Sequence, residues 1–144
     1  MNSSVELDAR AAAARDWALQ QLGLQDARFA PASADASFRR YFRLEDVSRS
    51  WVLMDAPPER EDCRPFLQVA QLLHAAGLNA PQIIAQDLAR GFLLLGDLGR
   101  QTYLHAINGD NADALMLDAI DALIRWQLAS RPGVLPLYDA ALLQ

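Results

Sequence analysis

The apolar run at residues 92–95 is the sequence feature that most restricts how this chain can fold. Gly91 precedes the run, and the turn Gly96-Asp97-Leu98-Gly99 follows it. A short apolar run bounded by turn residues is typical of a buried strand. Glycine lets the backbone bend sharply and approach another group closely. We therefore predict a buried strand over 91–95, followed by a turn where the backbone bends and approaches another group closely.

The rest of the chain predicts helices and strands in a defined order. Helices are predicted over 5–22, from residue 62 to Gly77, over 102–107 and over 112–130; strands are predicted over 28–33, 38–44, 51–54, 81–87 and 91–95. Apolar and arginine side chains alternate over 38–44 with the period of a strand. Ser3 and Glu6 fit a capping box at the start of the first helix. The predicted fold class is α+β: an antiparallel sheet of about five strands with a helix packed on it (domain 1–98), followed by the first helices of a helical region (domain 99–144).

Composition excludes several classes of function. The net charge of −5 argues against a nucleic-acid partner bound through a broad basic face. No apolar stretch approaches the ~20 residues needed to span a bilayer, and no signal peptide is evident, so we expect a cytoplasmic protein without a membrane partner. Cys63 is the single cysteine, which excludes an intrachain disulfide and a thiolate zinc site. All thirteen basic residues are arginine, so phosphate binding must use guanidinium groups, backbone amides or metal.

The hairpin at residues 34–41 is the first candidate site. Its small residues leave backbone amides open to an anion. Ser37 adds a hydroxyl donor, while Arg39, Arg40 and Arg43 can form forked bonds to phosphate oxygens. The alternative is a surface hairpin whose arginines are solvated.

The turn after the apolar run is the second candidate site. A backbone carbonyl and a backbone amide two residues apart can read the edge of an adenine ring, whatever the side chains are. The Gly96 carbonyl and the Leu98 amide are the predicted pair, with Leu95 beside the base and Asp97 between them. The alternative is an ordinary strand end. Glu59 and Glu61, with Asp62, could pair with an arginine, but we expect them to cap the second helix.

Several blocks of sequence together carry a family resemblance. They are residues 35–43, 52–59, 91–95 and 97–99, of which Met-Asp-Ala-Pro-Pro-Glu at 54–59 is the most specific. The chain resembles the aminoglycoside-phosphotransferase-like bacterial sugar kinases, whose amino-terminal lobe is like that of protein kinases. Nearly all of this chain matches, but it matches only the first part of the family.

The resemblance implies an enzyme that uses ATP and Mg²⁺. It implies transfer of the γ-phosphoryl group to the anomeric hydroxyl of N-acetylmuramate or N-acetylglucosamine, in peptidoglycan recycling. Ser37, Arg39 and Arg40 are then expected over the phosphates, and residues 96–98 at the adenine. Met54 occupies the position where protein kinases carry a phosphate-binding lysine. We expect Met54 to pack in the core, with Arg40 or Arg43 replacing the lysine.

The family's catalytic elements are missing from this sequence. It contains no His-x-Asp followed by Asn and no Asp-Phe-x-Asp, so no catalytic residue or metal ligand is assigned. We expect the chain to be part of a longer protein, to pack against the missing carboxyl lobe, and to be inactive alone. Two alternatives remain open. One is a related kinase acting on an aminoglycoside, choline or homoserine, and the other is a non-catalytic nucleotide-binding or interaction module.

Overall fold

The sheet and helices follow the predicted order. The computed structural model describes residues 8–34 and 37–137. The elements are α1 (Ala9–Leu22), β1 (Arg28–Ala34), β2 (Arg40–Glu45), β3 (Ser50–Asp55), α2 (Arg64–Ala75), β4 (Ile83–Asp87), β5 (Phe92–Gly96), α3 (Tyr103–Ala106) and α4 (Ala112–Ala129). The strand order is β1-β2-β3-β5-β4, and every neighbouring pair is antiparallel. The predicted α+β class with a five-stranded antiparallel sheet is confirmed.

Helix α1 begins later than the sequence predicts. Asp8 is its N-cap residue, and the Asp8 carboxylate accepts a hydrogen bond of 2.8 Å from the Ala11 amide. This bond satisfies one of the free N–H groups of the first turn. The predicted start at residue 5 is therefore wrong, and the capping-box residues Ser3 and Glu6 lie outside the described residues.

The alternation along the strands gives the sheet two apolar faces. One face packs against α1, and its buried residues are Phe42, Leu44, Trp51, Leu53, Phe92 and Leu94. The opposite face packs against the start of α2, and its members include Met54, Leu93, Leu95, Phe66 and Leu67. Met54 is fully buried, so its predicted role in core packing is confirmed.

Gly91 is required by the close approach of two strands. Its φ angle is +74°, and its carbonyl accepts a 2.8 Å hydrogen bond from the Ala56 amide. A Cβ atom at this position would lie 1.8 Å from the Ala56 carbonyl oxygen. The glycine before the apolar run therefore lets β5 begin directly against the end of β3.

The chain forms two compact units. The first contains the described residues up to Gln71 together with Ala80–Gly99, and so holds the sheet, α1 and the start of α2. The second contains Leu72–Asn79 and the described residues from Arg100 onward. The predicted division after residue 98 lies close to this boundary but did not separate residues 72–79.

Helix α4 in the second unit exposes much of its apolar surface. Its exposed apolar side chains are Met116, Leu117, Ile120, Leu123, Ile124 and Leu128. Leu115 and Trp126 of the same helix are half-buried. Within residues 8–34 and 37–137, no helix is both long enough and apolar enough to cross a bilayer.

Candidate functional site

Strand β2 directs its arginines to opposite faces of the sheet. Arg40 is paired in register with Asp55 of β3, and Arg43 is paired with Val52. Since neighbouring residues of a strand alternate between faces, Arg40 lies on the α1 face. Arg43 lies on the other face, in a row with Val52 and Leu95. The structure therefore does not bring Arg40 and Arg43 together at one phosphate site.

The turn after β5 is organised around the Asp97 carboxylate. Arg43 donates to both Asp97 oxygens, through Nε at 2.6 Å and through a terminal nitrogen at 3.0 Å. The Ser50 hydroxyl and the Gly99 amide also donate to it, at 2.8 and 2.9 Å. The Arg43 hydrogen bonds, and then those from Gly99 and Ser50, hold the pKa of Asp97 well below its usual range. Asp97 is therefore ionised and fixed in place at neutral pH.

The loop between β1 and β2 is held by a carboxylate from the segment before α2. Glu61 accepts a hydrogen bond of 3.2 Å from the Phe38 amide, and its second oxygen lies 3.3 Å from Arg39 Nε. Arg60 stacks on the Phe38 ring, with 4.6 Å between the guanidinium carbon and the ring centre. Glu61 therefore pairs with an arginine, and the expectation that it caps α2 is wrong. The neighbouring Asp62 accepts from the Arg64 amide at 2.9 Å.

Arg39 and Ser37 lie close together at the end of this loop. The Arg39 amide donates to the Ser37 hydroxyl at 3.2 Å. Arg39 Nε is buried, and within the described part of the chain it makes no aligned hydrogen bond despite its ion pair with Glu61. The 3.3 Å contact of Arg39 with Glu61 is longer than the contacts of Arg40 with Asp55 and of Arg43 with Asp97.

A third cluster surrounds the buried carboxylate of Asp55. Asp55 is fully buried, and it accepts from Arg10 Nε at 2.6 Å and from two Arg40 nitrogens at 3.1 and 2.5 Å. Arg40 also pairs with Asp8, the residue that caps α1. The bond from Arg40, followed by that from the Ala11 amide, lowers the pKa of Asp8 to about 2. The cluster joins the start of α1 to the middle of the sheet.

Sequence reasoning did not identify Asp55 as a partner of Arg40. One signal was available, because Asp55 directly follows the apolar run 51–54 and a buried carboxylate requires a cationic partner. The guanidinium group of Arg43 donates hydrogen bonds to Asp97 and, at 3.1 Å, to the Gly99 carbonyl. The assignments of Arg40 and Arg43 to phosphate stay predictions.

The residues predicted to hold adenine lie on one continuous segment. Leu95 is buried, and the Gly96 amide donates to the Gln82 carbonyl at 2.8 Å. Strand β5 ends at Gly96, so the sheet does not use the backbone of Asp97 and Leu98. Leu98 is 58% exposed. A planar ligand can therefore reach the backbone of this turn from solvent.

Comparisons with known proteins find one matching family model and several similar proteins. The model of the phosphotransferase enzyme family matches residues 28–142. A protein of Pseudomonas aeruginosa named N-acetylmuramate/N-acetylglucosamine kinase is 59% identical over 118 residues, which is 82% of this chain and 35% of that protein. A protein of the same name from Pseudomonas putida is 59% identical over 113 residues, covering 78% of this chain and 33% of the relative.

A more distant relative has the same name. The Neisseria meningitidis protein is 47% identical over 114 residues, covering 75% of this chain and 33% of the relative. The chain therefore spans about one third of the length of these curated relatives. The match includes all five strands, the β1–β2 loop and the turn at 96–99.

Proposed function

The chain belongs to the phosphotransferase enzyme family, and we propose that it is the ATP-binding portion of an amino-sugar kinase. The longer protein transfers the γ-phosphoryl group of ATP to the anomeric hydroxyl of N-acetylmuramate or N-acetylglucosamine. The product, a sugar 1-phosphate, belongs to peptidoglycan recycling in the cytoplasm. The observation that carries the proposal is 59% identity, over 82% of this chain, to a kinase named for both sugars.

In this proposal the two sites of the first unit bind opposite ends of the nucleotide. The Gly96 carbonyl and the Leu98 amide bind adenine beside Leu95, and Ser37 and Arg39 bind the phosphates. Arg39 is favoured among the predicted arginines because its partner Glu61 is 3.3 Å away and 15% exposed, whereas Arg40 and Arg43 hold carboxylates that are 0% and 5% exposed. Phosphoryl transfer needs chiefly positioning and charge neutralisation, both of which a guanidinium group and backbone donors supply.

The remaining parts of the reaction belong to the rest of the longer protein. Among the described residues, no cluster of His, Cys, Asp and Glu side chains is arranged to hold a metal ion. We propose that Mg²⁺ is held by the nucleotide phosphates and by carboxylates of the carboxyl lobe, which also supplies the general base. The exposed apolar side chains of α4 support a further packed region. The 144-residue chain alone is expected to bind ATP without phosphorylating sugar.

A chimera tests the proposal directly. The matched third of the Pseudomonas aeruginosa kinase is replaced by the corresponding residues of this chain, and ATP consumption is measured with each candidate acceptor. We expect turnover with N-acetylmuramate and N-acetylglucosamine, and none with choline, homoserine or an aminoglycoside. The control is the same chimera with Leu98→Pro, which deletes the amide proposed to bind adenine.

The outcomes separate the alternatives. A folded chimera that binds ATP but consumes none with either amino sugar would refute the proposal and favour a non-catalytic module. Turnover with choline, homoserine or an aminoglycoside in place of the amino sugars would assign the chain to a related kinase. Full activity of the Leu98→Pro chimera would move the adenine site away from this turn.

A further inference from the structure

The Asp97 carboxylate joins three separate strands at the turn 96–99. Its four donor groups come from Arg43 in β2, Ser50 at the start of β3 and Gly99 at the end of the turn. The Asp97 side chain is 5% exposed and that of Arg43 is 13% exposed. The forked Arg43–Asp97 pair is therefore shielded from water, where such pairs are strongest and most directional.

Arg43 also binds the turn at a second point. One terminal nitrogen of Arg43 donates both to Asp97 and to the Gly99 carbonyl, and the second of these bonds is 3.1 Å long. Gly99 is thus bound through both its amide and its carbonyl. Its φ angle of +103° is one that other residues rarely adopt, so the ion pair and the glycine together impose a single path on the turn.

The backbone between these fixed points is the part that the proposed function assigns to adenine. Recognition by a backbone carbonyl and amide depends on where the chain runs, and a supporting shell of side chains usually sets this to within about 0.5 Å. Leu98 lies between the two residues that Arg43 holds, and it is exposed to solvent. Without Arg43, the Gly99 carbonyl would lose this donor, and the Asp97 carboxylate would keep only the Ser50 hydroxyl and the Gly99 amide.

We propose that Arg43 and Asp97 are positioning residues that fix the turn 96–99 for adenine binding, and that Arg43 does not bind phosphate. This inference rests on the proposed ATP site. It replaces the assignment of Arg43 to the phosphate groups, because its guanidinium group is already bound to the turn. The two assignments predict opposite results for a ligand that has adenine and no phosphate.

The experiment compares adenosine with ATP on the full 144-residue chain by calorimetric or NMR titration. The variants are Arg43→Ala, Asp97→Asn and Arg39→Ala. The matched control is Arg28→Ala, because Arg28 is an arginine of β1 with a side chain that is 74% exposed. We expect Arg43→Ala and Asp97→Asn to weaken adenosine and ATP by the same factor, about tenfold. Arg39→Ala should weaken ATP alone, and Arg28→Ala should change neither affinity.

Two further measurements separate positioning from a general loss of stability. Hydrogen exchange of the Gly99 amide, which donates to Asp97, should be faster in unliganded Asp97→Asn than in the wild type, while amides in the middle of β3 keep their protection. Arg43→Lys keeps the charge but lacks the fork, so its adenosine affinity should lie between those of the wild type and Arg43→Ala. A purely structural role would lower the unfolding midpoint and leave the affinity of the folded fraction unchanged.

Each result has a definite meaning. Loss of ATP affinity with full adenosine affinity in Arg43→Ala would make Arg43 a phosphate ligand and overturn the inference. Unchanged affinity for both ligands in Asp97→Asn, if the variant is folded, would also overturn it while leaving the ATP site in place. If the wild-type chain binds neither adenosine nor ATP, the proposed function itself fails.

Discussion

Replacing Asp55 by alanine measures how much the buried charge cluster contributes to folding. The Asp55 side chain is fully buried and holds two arginines, with Arg10 Nε at 2.6 Å and a terminal nitrogen of Arg40 at 2.5 Å. Arg10 lies in α1 and Arg40 in β2, so the carboxylate ties helix to sheet. The variant removes the acceptor and leaves both cations.

The expected loss follows from the burial of each partner. Removing one member of a buried ion pair typically costs about 3–5 kcal/mol, because the other charge is left without a partner. The side chains of Arg10 and Arg40 are 31% and 40% exposed, so water can partly solvate them in the variant. We therefore expect the lower end, about 3 kcal/mol of unfolding free energy. For a protein of this size, that corresponds to a melting temperature lowered by about 10 °C.

Thermal and urea unfolding followed by circular dichroism provide the assay. The control is Asp26→Ala, because Asp26 pairs with Arg15 at 2.5 Å but its side chain is 80% exposed. An exposed pair of this kind contributes about 1 kcal/mol or less. Equal melting temperatures for Asp55→Ala and Asp26→Ala would show that burial of the carboxylate does not strengthen the cluster, and would refute the reasoning.

Three other predictions concern backbone fit, acid stability and thiol reactivity. Gly91→Ala should lower the unfolding free energy, measured by urea unfolding, by at least about 2 kcal/mol, because the new Cβ would lie 1.8 Å from the Ala56 carbonyl oxygen at a residue with positive φ. The control is Gly109→Ala, whose Cβ would meet nothing within 4 Å and should change the unfolding free energy little. The pKa of Asp97 is lowered in the folded state, so its stabilising contribution is complete above its unfolded pKa of about 3.9 and is lost as the pH falls below that value. Melting temperatures should therefore be level from about pH 7 to 5 and fall below about pH 4, with a shallower fall in Asp97→Asn; the same slope in both proteins would contradict this assignment. Burial raises the pKa of the Cys63 thiol, so alkylation by iodoacetamide at about pH 8 should be at least about tenfold slower than in urea, and equal rates would show that the thiol is accessible.

The order of the elements could be predicted because it depends on local patterns. The alternation over 38–44 identified β2, and the apolar run after Gly91 identified β5, without knowledge of their neighbours. The start of α1 was predicted wrongly from Ser3 and Glu6, because Asp8 is also an acceptable cap residue by sequence. The structure selects Asp8, whose carboxylate also reaches Arg40 from β2. A contact between distant parts of the chain therefore decided a local boundary.

The partners of the arginines were the part that the sequence could not predict. Arg43 and Asp97 are 54 residues apart, and Arg40 and Asp55 are 15 apart. Which carboxylate meets which arginine depends on the register of β2 with β3 and of β3 with β5. A shift of one residue in either register would reverse the face of every side chain. The sequence indicated that arginines cluster near β2, while the assignment of each one required the folded sheet.

The three arginines near β2 differ in what each would lose by binding phosphate. Arg40 would have to release Asp55, and Arg43 would have to release Asp97. Each release would leave a buried carboxylate without its cationic partner, which is destabilising. Arg39 would have to release or share Glu61, which is 15% exposed and lies 3.3 Å from Nε, so its cost is smaller. Of the three, Arg39 has the longest contact with its carboxylate and is therefore best suited to bind the nucleotide, while Arg40 and Arg43 hold the scaffold around it.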